Sequence, residues 1–296
     1  MIGLREQDVV EPFEIVLVDS GSTDGTPEIA SALGARVIHI DKREFTFGRA
    51  LNIGCREATG EILVFVSAHV YPTRTSWLSD LLAPFDDERV VLSYGKQRGN
   101  AVNKFSEHQI FARWFPEEAA FPQRGYFCNN ANCAVRRASW EDLPYDEALP
   151  GLEDLAWAKE MQRRGGWLAY APSADIVHVH DETWAAIRNR YRREAMAMKQ
   201  IDEHARFSMW DFATLFIKNC AADYREAMKN GVLAAEFLSI GLFRWNQFFG
   251  TYLGYHGAEE LSLELRRRFY FPNTKPFDRT ETEGSGAVIE YEKLEQ

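Results

Sequence analysis

The stretch that most constrains the fold is 15–27, where an apolar run ends at an aspartate and a glycine-rich turn follows. Residues 15–18 are β-branched or aliphatic, which predicts a buried strand. Because a polar Ser-Gly-Ser-Thr-Asp-Gly turn comes next, the strand is expected to end at Asp19. Thr26 predicts a helix N-cap, and Pro27 the first helical residue. Ligands of open α/β sheets bind at the carboxyl ends of strands, so Asp19 is predicted to lie at a binding site.

The strand–helix alternation continues through the first half of the chain. Strands are predicted in ARVIHI, EILVFV and ERVVLSYGKQ, and helices in FGRALNIGCREATG and TSWLSDLLAPF. This βαβα order predicts a mostly parallel sheet with helices on both faces. Short strands are also predicted in NCAVRR, WLAYAP and ADIVHVH, and a helix in EDLAWAKEMQRRGG.

The C-terminal third has a helical pattern. Helices are predicted over 184–204, 208–229 and 231–254, and the end of the chain is polar and acidic. The expected organisation is an α/β domain at 1–183, a helical extension at 184–275 and an acidic mobile tail at 276–296. No stretch reaches the roughly 20 apolar residues that span a bilayer.

Composition limits which partners the protein is expected to bind and in which compartment it is expected to lie. The chain of 296 residues has a formal net charge of −10, which argues against sequence-independent binding to nucleic acid, since that needs a basic surface. The four cysteines have no CxxC spacing, and nothing at the N-terminus resembles a signal peptide. They are expected to be reduced, buried thiols of a cytoplasmic protein: Cys55, Cys128, Cys133 and Cys220.

Four polar segments follow one another along the α/β region. They are Asp19 with its turn, residues 48–60, Ser67-Ala68-His69 after a strand, and Glu153-Asp154 at the start of a helix. In this order they resemble the family 2 inverting glycosyltransferases of the GT-A fold. VDSGSTDGT and FTFGRALNIG resemble the branch with rhamnosyltransferase-like and surface-polysaccharide enzymes.

The resemblance covers roughly residues 1–200. It implies a GT-A nucleotide-sugar glycosyltransferase domain in 1–183, with a role in polysaccharide biosynthesis of the cell envelope. The family's first strand is not found before EIVLVD, so the domain is expected to lack that strand. Losing it would open an edge in the sheet and remove part of the nucleoside pocket.

The resemblance also implies a nucleotide site. A carboxylate at a strand end, such as Asp19, accepts hydrogen bonds from a base or a ribose; the alternative is that it only caps its own turn. The other residues implied for nucleotide binding are Ser20, Ser22, Arg49, Asn52 and Ser67.

The family's Asp-x-Asp metal motif is replaced here by Ser67-Ala68-His69. A neutral imidazole ligates transition metals, whereas Mg²⁺ prefers oxygen ligands. Either His69 helps to bind Mn²⁺ or the metal is dispensable. His178 and His180 share one face of a strand, and His180, nearer the strand end, is the predicted second ligand, with Asp181 as an alternative oxygen ligand. The expected cofactor is therefore a divalent cation, Mn²⁺ or Mg²⁺.

The expected reaction chemistry centres on Asp154. A helix N-terminus stabilises negative charge, so this carboxylate is expected to stay ionised. In the resembling family it is the general base that deprotonates an acceptor hydroxyl, with inversion at the anomeric carbon; the alternative is an acidic helix cap. Glu153 is expected to orient a hydroxyl. Contacts with donor or acceptor are expected from Asn130, Asn132 and Trp184.

The leading interpretation is therefore transfer of a sugar from a nucleotide-diphosphate sugar to a polysaccharide or lipid-linked acceptor. The alternatives are a catalytically inactive GT-A-fold scaffold, and a nucleotidyltransferase, for which no Gly-rich loop with a basic residue is found near the N-terminus.

The basic residues of 188–199 form either a solvated face or a patch for an anion. The aromatic residues of 243–252 either pack in a core or touch a membrane. We expect a cytoplasmic protein with peripheral contact at the inner face of the cytoplasmic membrane.

Overall fold

The computed structural model describes residues 1–257. Predictions for the rest, including the acidic tail at 276–296, lie outside the described residues. The helices are α1 (Ile2–Arg5), α2 (Thr26–Ala32), α3 (Phe47–Glu57), α4 (Trp77–Leu82), α5 (Phe105–Trp114), α6 (Arg137–Asp142), α7 (Glu153–Arg163), α8 (Trp184–Ile201), α9 (Met209–Lys229) and α10 (Leu233–His256). The strands are β1 (Val16–Asp19), β2 (Arg36–His39), β3 (Ile62–Val66), β4 (Val70–Pro72), β5 (Val90–Arg98), β6 (Asn132–Arg136) and β7 (Trp167–His178).

The turn after β1 differs by one residue from the prediction. Strand β1 ends at Asp19 as expected, but the N-cap of α2 is Gly25, with φ of 83°, so Thr26 is the first helical residue and Pro27 the second. The Asp24 carboxylate accepts the backbone N–H of Thr26 at 3.1 Å and closes a local turn. Glycine adopts the left-handed backbone that this turn requires without a Cβ penalty.

The strands form two sheets. Strands β1 and β2 are a parallel pair, and a second sheet has the order β3-β6-β5-β7-β4. Only β5 and β7 are parallel there; the other three pairs are antiparallel. The expected mostly parallel sheet is therefore corrected to a mixed one. A βαβ crossover makes two strands parallel only when it joins strands that are neighbours in the sheet. Here the connection 99–131 instead returns the chain so that β6 lies antiparallel between β3 and β5.

Strand β7 replaces two strands predicted separately. WLAYAP and ADIVHVH form one strand with a bulge, where the pairing with β5 slips between Gly95 and Gln97. Pro172 lies within this bulge. Proline has no N–H to donate to the hydrogen-bond ladder of the sheet, so it is accommodated where the regular pairing is interrupted. A Cβ at Gly95 would overlap the carbonyl oxygen of Ala174, so the close approach of the two backbones depends on this glycine.

Helices cover both faces of the five-stranded sheet, as predicted. Tyr94 and Leu168 pack on one face with Trp140 and Trp157 of α6 and α7. Trp77 of α4 anchors the cluster on the other face. The four cysteines are free and buried, as expected: Cys55, Cys128, Cys133 and Cys220.

The C-terminal helices pack tightly against the domain. Cβ atoms at Gly250 and Gly254 of α10 would overlap the α8 backbone, so these glycines let the two helices approach closely. Asp223 and Arg244 form a buried ion pair with an Nε–Oδ2 distance of 2.7 Å. Within residues 1–257, no helix combines the length and the apolar character that crossing a bilayer requires.

The aromatic segment of α10 is divided between core and surface. Phe243 and Phe248 are buried, while Trp245 is 45% exposed. Core packing therefore accounts for part of this segment.

Candidate active site

Three histidines meet at one edge of the five-stranded sheet. His69 lies in the turn between β3 and β4, and His178 is the last residue of β7. The β4–β7 ladder pairs Val70 with His178, and the Val179 N–H donates to the His69 carbonyl at 3.0 Å. Backbone pairing thus places the turn histidine beside the strand-end histidines, including His180.

The Nε2 atoms of these rings converge. His178 Nε2 lies 2.8 Å from His69 Nε2 and 2.9 Å from His180 Nε2. His69 is exposed as a residue, but its ring packs on the other two, with centroids 4.7 and 5.6 Å away. The structure therefore unites the two predicted ligands, His69 and His180, and adds His178, which sequence analysis had not selected.

Acceptor groups hold the outer nitrogens of two rings. Gln97 Oε1 lies 2.7 Å from His178 Nδ1, and Glu107 Oε1 lies 2.8 Å from His180 Nδ1. Glu107 also accepts from Arg190 at 2.8 Å. Burial acts to raise the pKa of Glu107, but the charges of Arg190 and His180 outweigh it and lower the pKa to about 2. Glu107 is therefore a carboxylate at neutral pH.

The pKa values of the histidines favour neutral rings. Desolvation, followed by the charge of His180, lowers the pKa of His69 to about 4. Burial lowers the pKa of His178 well below its ordinary value. Neutral imidazole is the form that ligates metals, so at neutral pH the rings of His69 and His178 can bind an ion without first losing a proton.

The donor chemistry indicates which cation the cluster fits. Three imidazole nitrogens suit transition ions, whereas Mg²⁺ takes oxygen ligands. Asp181 is not part of this cluster; the acidic neighbours within reach of His180 are Glu107 and Glu182. The three histidines by themselves fit a transition metal and do not fit Mg²⁺.

The two predicted catalytic carboxylates open α7. Glu153 is its first helical residue, and the preceding Leu152 has φ of 56°, the one positive φ outside glycine in the described residues. A left-handed backbone costs a leucine about 1–2 kcal/mol. Such strain concentrates at functional sites, and here it sets the direction in which Glu153 and Asp154 enter the helix.

Backbone N–H groups hold the Asp154 carboxylate. Oδ2 accepts from Asn130 at 2.9 Å, and Oδ1 accepts from Leu155 at 2.8 Å. Glu153 and Asp154 are only 8% and 7% exposed. The Asn130 side-chain amide is buried near Glu153 without a well-formed hydrogen bond. The Asn130 side chain therefore has hydrogen-bonding capacity left beside the carboxylates.

Burial changes the expected ionisation of this pair. Desolvation, followed by the negative charge of Asp154, raises the pKa of Glu153 to about 8. Desolvation also raises the pKa of Asp154, although hydrogen bonds from Asn130 and Leu155 oppose it. Asp154 was expected to stay ionised at the helix N-terminus; the backbone hydrogen bonds favour that charged form, while loss of solvent opposes it and raises the pKa above its ordinary value. At neutral pH the pair shares a proton, and the better hydrogen-bonded Asp154 is the member that holds the charge.

The predicted nucleoside ligand Asp19 caps its own turn. Its carboxylate accepts the N–H groups of Gly21 at 2.8 Å and Ser22 at 3.1 Å, and His39 Nδ1 lies 3.3 Å away. Burial acts to raise the pKa of Asp19, but the bonds from Ser22 and Gly21 lower it overall. Ser20 lies in the same turn, half-buried. The turn-capping contacts are therefore present, and the nucleoside contact of Asp19 stays a prediction.

Two further residues predicted at the nucleotide site have structural contacts. The buried Asn52 side chain donates to the Tyr145 carbonyl at 2.9 Å and accepts from Trp140 Nε1 at 3.0 Å. Arg49 pairs with Glu44 at 2.9 Å. These contacts bind α3 to its neighbours, and Asn52 has no polar atom left for a ligand.

The remaining predicted residues have different surroundings. Asn132 is fully buried and bonds to Trp77 Nε1 at 2.9 Å and to the Ala174 carbonyl at 2.8 Å, so a role in the sheet replaces the predicted sugar contact. Ser67 is half-buried in the turn before His69. Trp184 is the first residue of α8, where the Lys104 ammonium lies 4.8 Å from its ring.

The basic helix α8 links the two halves of the site. Arg190 lies beside Glu107 and Glu182 near the histidines. The positive charge of Arg193, one turn later, acts on Glu153 and lowers its pKa against the effect of burial. The patch is therefore not simply a solvated face, since its arginines lie between the histidine cluster and the carboxylate pair.

Comparison with known proteins bears on the family and the fold of this chain. Residues 3–143 match the model of the family described as Glycosyl transferase family 2. The chain is 26% identical over 184 residues to O-antigen chain rhamnosyltransferase WbaN of Salmonella anatum, over 58% of each protein. It is 25% identical over 193 residues to O-antigen chain rhamnosyltransferase RfbN of Salmonella typhimurium, over 60% of each. The matches thus span somewhat more than half of these relatives.

A solved structure supports the same architecture. The mannosyltransferase PcManGT from Pyrobaculum calidifontis, in complex with GDP-Man and Mn²⁺, superposes with a TM-score of 0.57 at 19% sequence identity. The superposition covers 86% of this chain and 81% of that one. At this identity the likeness establishes the fold, which is GT-A with a C-terminal helical region.

Proposed function

Residues 3–143 belong to glycosyl transferase family 2, and on this premise we propose that the chain transfers a sugar from a nucleotide-diphosphate sugar to an acceptor hydroxyl, with inversion. Asp154 is the general base and Glu153 orients a hydroxyl. The observation that carries the proposal is the buried carboxylate pair that opens α7, with Asp154 held by two backbone N–H groups.

The arrangement explains how one carboxylate is prepared for proton transfer. A general base works best when its pKa lies near the working pH, and burial raises the pKa of both acids toward that range. The proton shared by the pair rests on Glu153, since Asp154 receives the backbone hydrogen bonds. Glu153 then donates a hydrogen bond to a sugar or acceptor oxygen while Asp154 accepts the hydroxyl proton.

The histidine cluster is the proposed cation site, with His69 and His180 as ligands. A bound divalent ion neutralises negative charge on a leaving diphosphate. The similar mannosyltransferase was solved with GDP-Man and Mn²⁺, which supports a donor and a cation of these classes. The chain's own contribution is to hold the imidazoles in place through Gln97 and Glu107.

The relatives support a narrower assignment of substrates. Both are described as O-antigen chain rhamnosyltransferases, so we propose a rhamnosyl- or hexosyl-type donor and a polysaccharide or lipid-linked acceptor. This assignment places the chain in cell-envelope polysaccharide synthesis, on the cytoplasmic side where nucleotide sugars are made. The half-exposed Trp245 on α10 is a candidate for peripheral membrane contact there.

The test is release of nucleoside diphosphate from UDP-, dTDP- and GDP-sugars, with the Asp154→Asn variant alongside the wild type. Loss of a general base costs about 10²- to 10⁴-fold in rate, so we expect kcat to fall within that range. Asp142→Asn, the same change at an exposed residue, is the matched control and should leave kcat within a factor of two or so.

The second candidate is a catalytically inactive scaffold of the same fold. It is favoured by Asp19, Asn52 and Asn132, whose side chains are occupied by the protein itself. A folded wild-type protein that releases no nucleoside diphosphate from any donor would support the scaffold and overturn the transferase proposal. Turnover that Asp154→Asn leaves unchanged would remove Asp154 from the role of base.

A further inference from the structure

The three converging histidines carry an inference beyond a two-histidine cation site. We infer that His69, His178 and His180 together form a three-nitrogen site that binds Zn²⁺-like transition ions, with Zn²⁺ or Co²⁺ as suitable probes, and discriminates against Mg²⁺. Ser67 has no carboxylate, so the turn of residues 67–69 supplies only the His69 nitrogen as a ligand. His178 supplies the third nitrogen of the site.

Hydrogen bonding determines where the ring protons lie. Glu107 is a carboxylate and only accepts, so His180 Nδ1 carries the proton at their 2.8 Å contact. Gln97 Oε1 likewise accepts from His178 Nδ1 at 2.7 Å. When both rings are neutral, each has one N–H, and both Nε2 atoms then present lone pairs. These lone pairs face each other across 2.9 Å.

Two lone pairs at that distance repel unless a positive species lies near both. A proton on His69 Nε2 would satisfy His178 across their 2.8 Å contact, but it would leave His180 without a donor. A metal ion that binds all three nitrogens removes the conflict at once. Histidine ligands that donate their other N–H to a carboxylate or amide oxygen are the usual arrangement at metal centres.

The spacing of the nitrogens also fits an ion. At the Zn–N distance of about 2.0–2.1 Å, two ligand nitrogens lie about 3.3 Å apart around a tetrahedral ion and about 2.9 Å apart around an octahedral one. The observed Nε2 separations are 2.8 and 2.9 Å, and the ligand atoms all lie within 4.8 Å of one another. The two observed separations are therefore close to the octahedral value and about 0.4–0.5 Å short of the tetrahedral one.

The burial of the three rings gives the site an open side. His178 is buried, His180 is half-buried and His69 is exposed. An ion held by three protein nitrogens keeps further positions for other ligands, as catalytic zinc sites do. On the proposed function, oxygens of the donor diphosphate take those positions; the nitrogen site itself does not depend on that function.

The competing occupant is a proton. A proton shared between His178 and His180 would also relieve the repulsion, and the cluster would then bind no ion tightly. Visible absorption of Co²⁺ separates these cases, since imidazole-bound Co²⁺ with fewer than six ligands absorbs far more strongly than hydrated Co²⁺. The full chain is stripped with a chelator and titrated with Co²⁺, and Zn²⁺ and Mg²⁺ are added as competitors.

Two variants test the ligands, and a third is the control. His178→Gln removes the third nitrogen and keeps a polar side chain beside Gln97, while His69→Ala removes the exposed ligand. Loss of a residue that only orients a metal ligand lowers metal affinity about 10–100-fold. Loss of a ligand itself should therefore lower the Co²⁺ affinity at least about 10-fold in both ligand variants. His204→Ala, at an exposed histidine outside the cluster, is the control and should bind Co²⁺ as the wild type does.

X-ray absorption of the Co²⁺-loaded wild type gives a count of imidazole ligands that needs no variant. Three imidazoles, displacement of Co²⁺ by Zn²⁺ and no displacement by millimolar Mg²⁺ support the inference. Fewer than three imidazoles, wild-type affinity in His178→Gln, or equal competition by Mg²⁺ would overturn it. Sugar transfer by a protein that lacks a three-imidazole site would support the proposed function and overturn this inference. A three-imidazole site in a protein without transferase activity would support this inference and overturn the proposed function.

Discussion

Replacing Glu153 by glutamine tests the electrostatics of the carboxylate pair directly. Burial, followed by the charge of Asp154, raises the pKa of Glu153 from 4.5 to about 8. Below pH 4.5 the glutamate is protonated in both the folded and the unfolded chain. Between pH 4.5 and 8 the folded protein keeps the proton that the unfolded chain has released, so the free energy of unfolding falls as the pH rises.

The size of this effect follows from the pKa. Each unit of difference corresponds to about 1.4 kcal/mol, so the rise to about 8 costs the folded protein up to about 5 kcal/mol above pH 8. This figure is an upper value, because part of it belongs to the coupled charge on Asp154. Glutamine has nearly the same shape and never ionises. Glu153→Gln should therefore match the wild type near pH 4.5 and be more stable by several kcal/mol, about 5 at most, near pH 8.

Urea unfolding followed by tryptophan fluorescence, between pH 4.5 and 9, measures the difference. Glu141→Gln makes the same change at a glutamate on α6 whose side chain is 58% exposed, and its curve should run close to that of the wild type. A Glu153→Gln curve parallel to the wild-type curve would refute the reasoning, since it would show that burial does not hold the proton on Glu153.

Two further predictions concern the fold. Gly95→Ala should lower the free energy of unfolding by about 3 kcal/mol or more, because its Cβ would overlap the Ala174 carbonyl; an unchanged urea midpoint would contradict this. Asp223→Ala should cost about 3–5 kcal/mol, because it leaves the Arg244 guanidinium buried and unpaired. The double variant Asp223→Leu with Arg244→Met should recover most of the loss in the same urea assay, and no recovery would mean that the unpaired charge is not the cause.

Much of the fold could be predicted because local patterns determine it. The apolar run before Asp19 made a strand, and the periodic segments made helices within a few residues of their predicted ends. Strand direction in the second half could not be predicted, since it depends on long connections. The merging of two predicted strands into β7 also escaped prediction, because the bulge at Pro172 forms only against Gly95 of the neighbouring strand.

The candidate site divides in the same way. His69, His180 and the Glu153–Asp154 pair could be selected by residue type and by their position at element ends. The sequence could not show that Asn132 and Asn52 have structural roles instead of contacts with a substrate. Their hydrogen-bond partners, such as Trp77 and Tyr145, are distant along the chain. His178 was passed over for His180, which lies two residues beyond the end of β7. The turn contact that brings both beside His69 is tertiary and could not be predicted from the sequence.

The sequence by itself determined the elements, the family resemblance and the chemical groups available, since each of these is written in neighbouring residues. Only the tertiary structure decided which groups meet and what charge they hold. Nitrogen lone pairs meet when β4 pairs with β7, and the pKa values of Glu153 and Asp154 rise only when the packed protein removes water from both. Electrostatic free energy depends on distance and on solvent, and neither is a property of the chain before it folds.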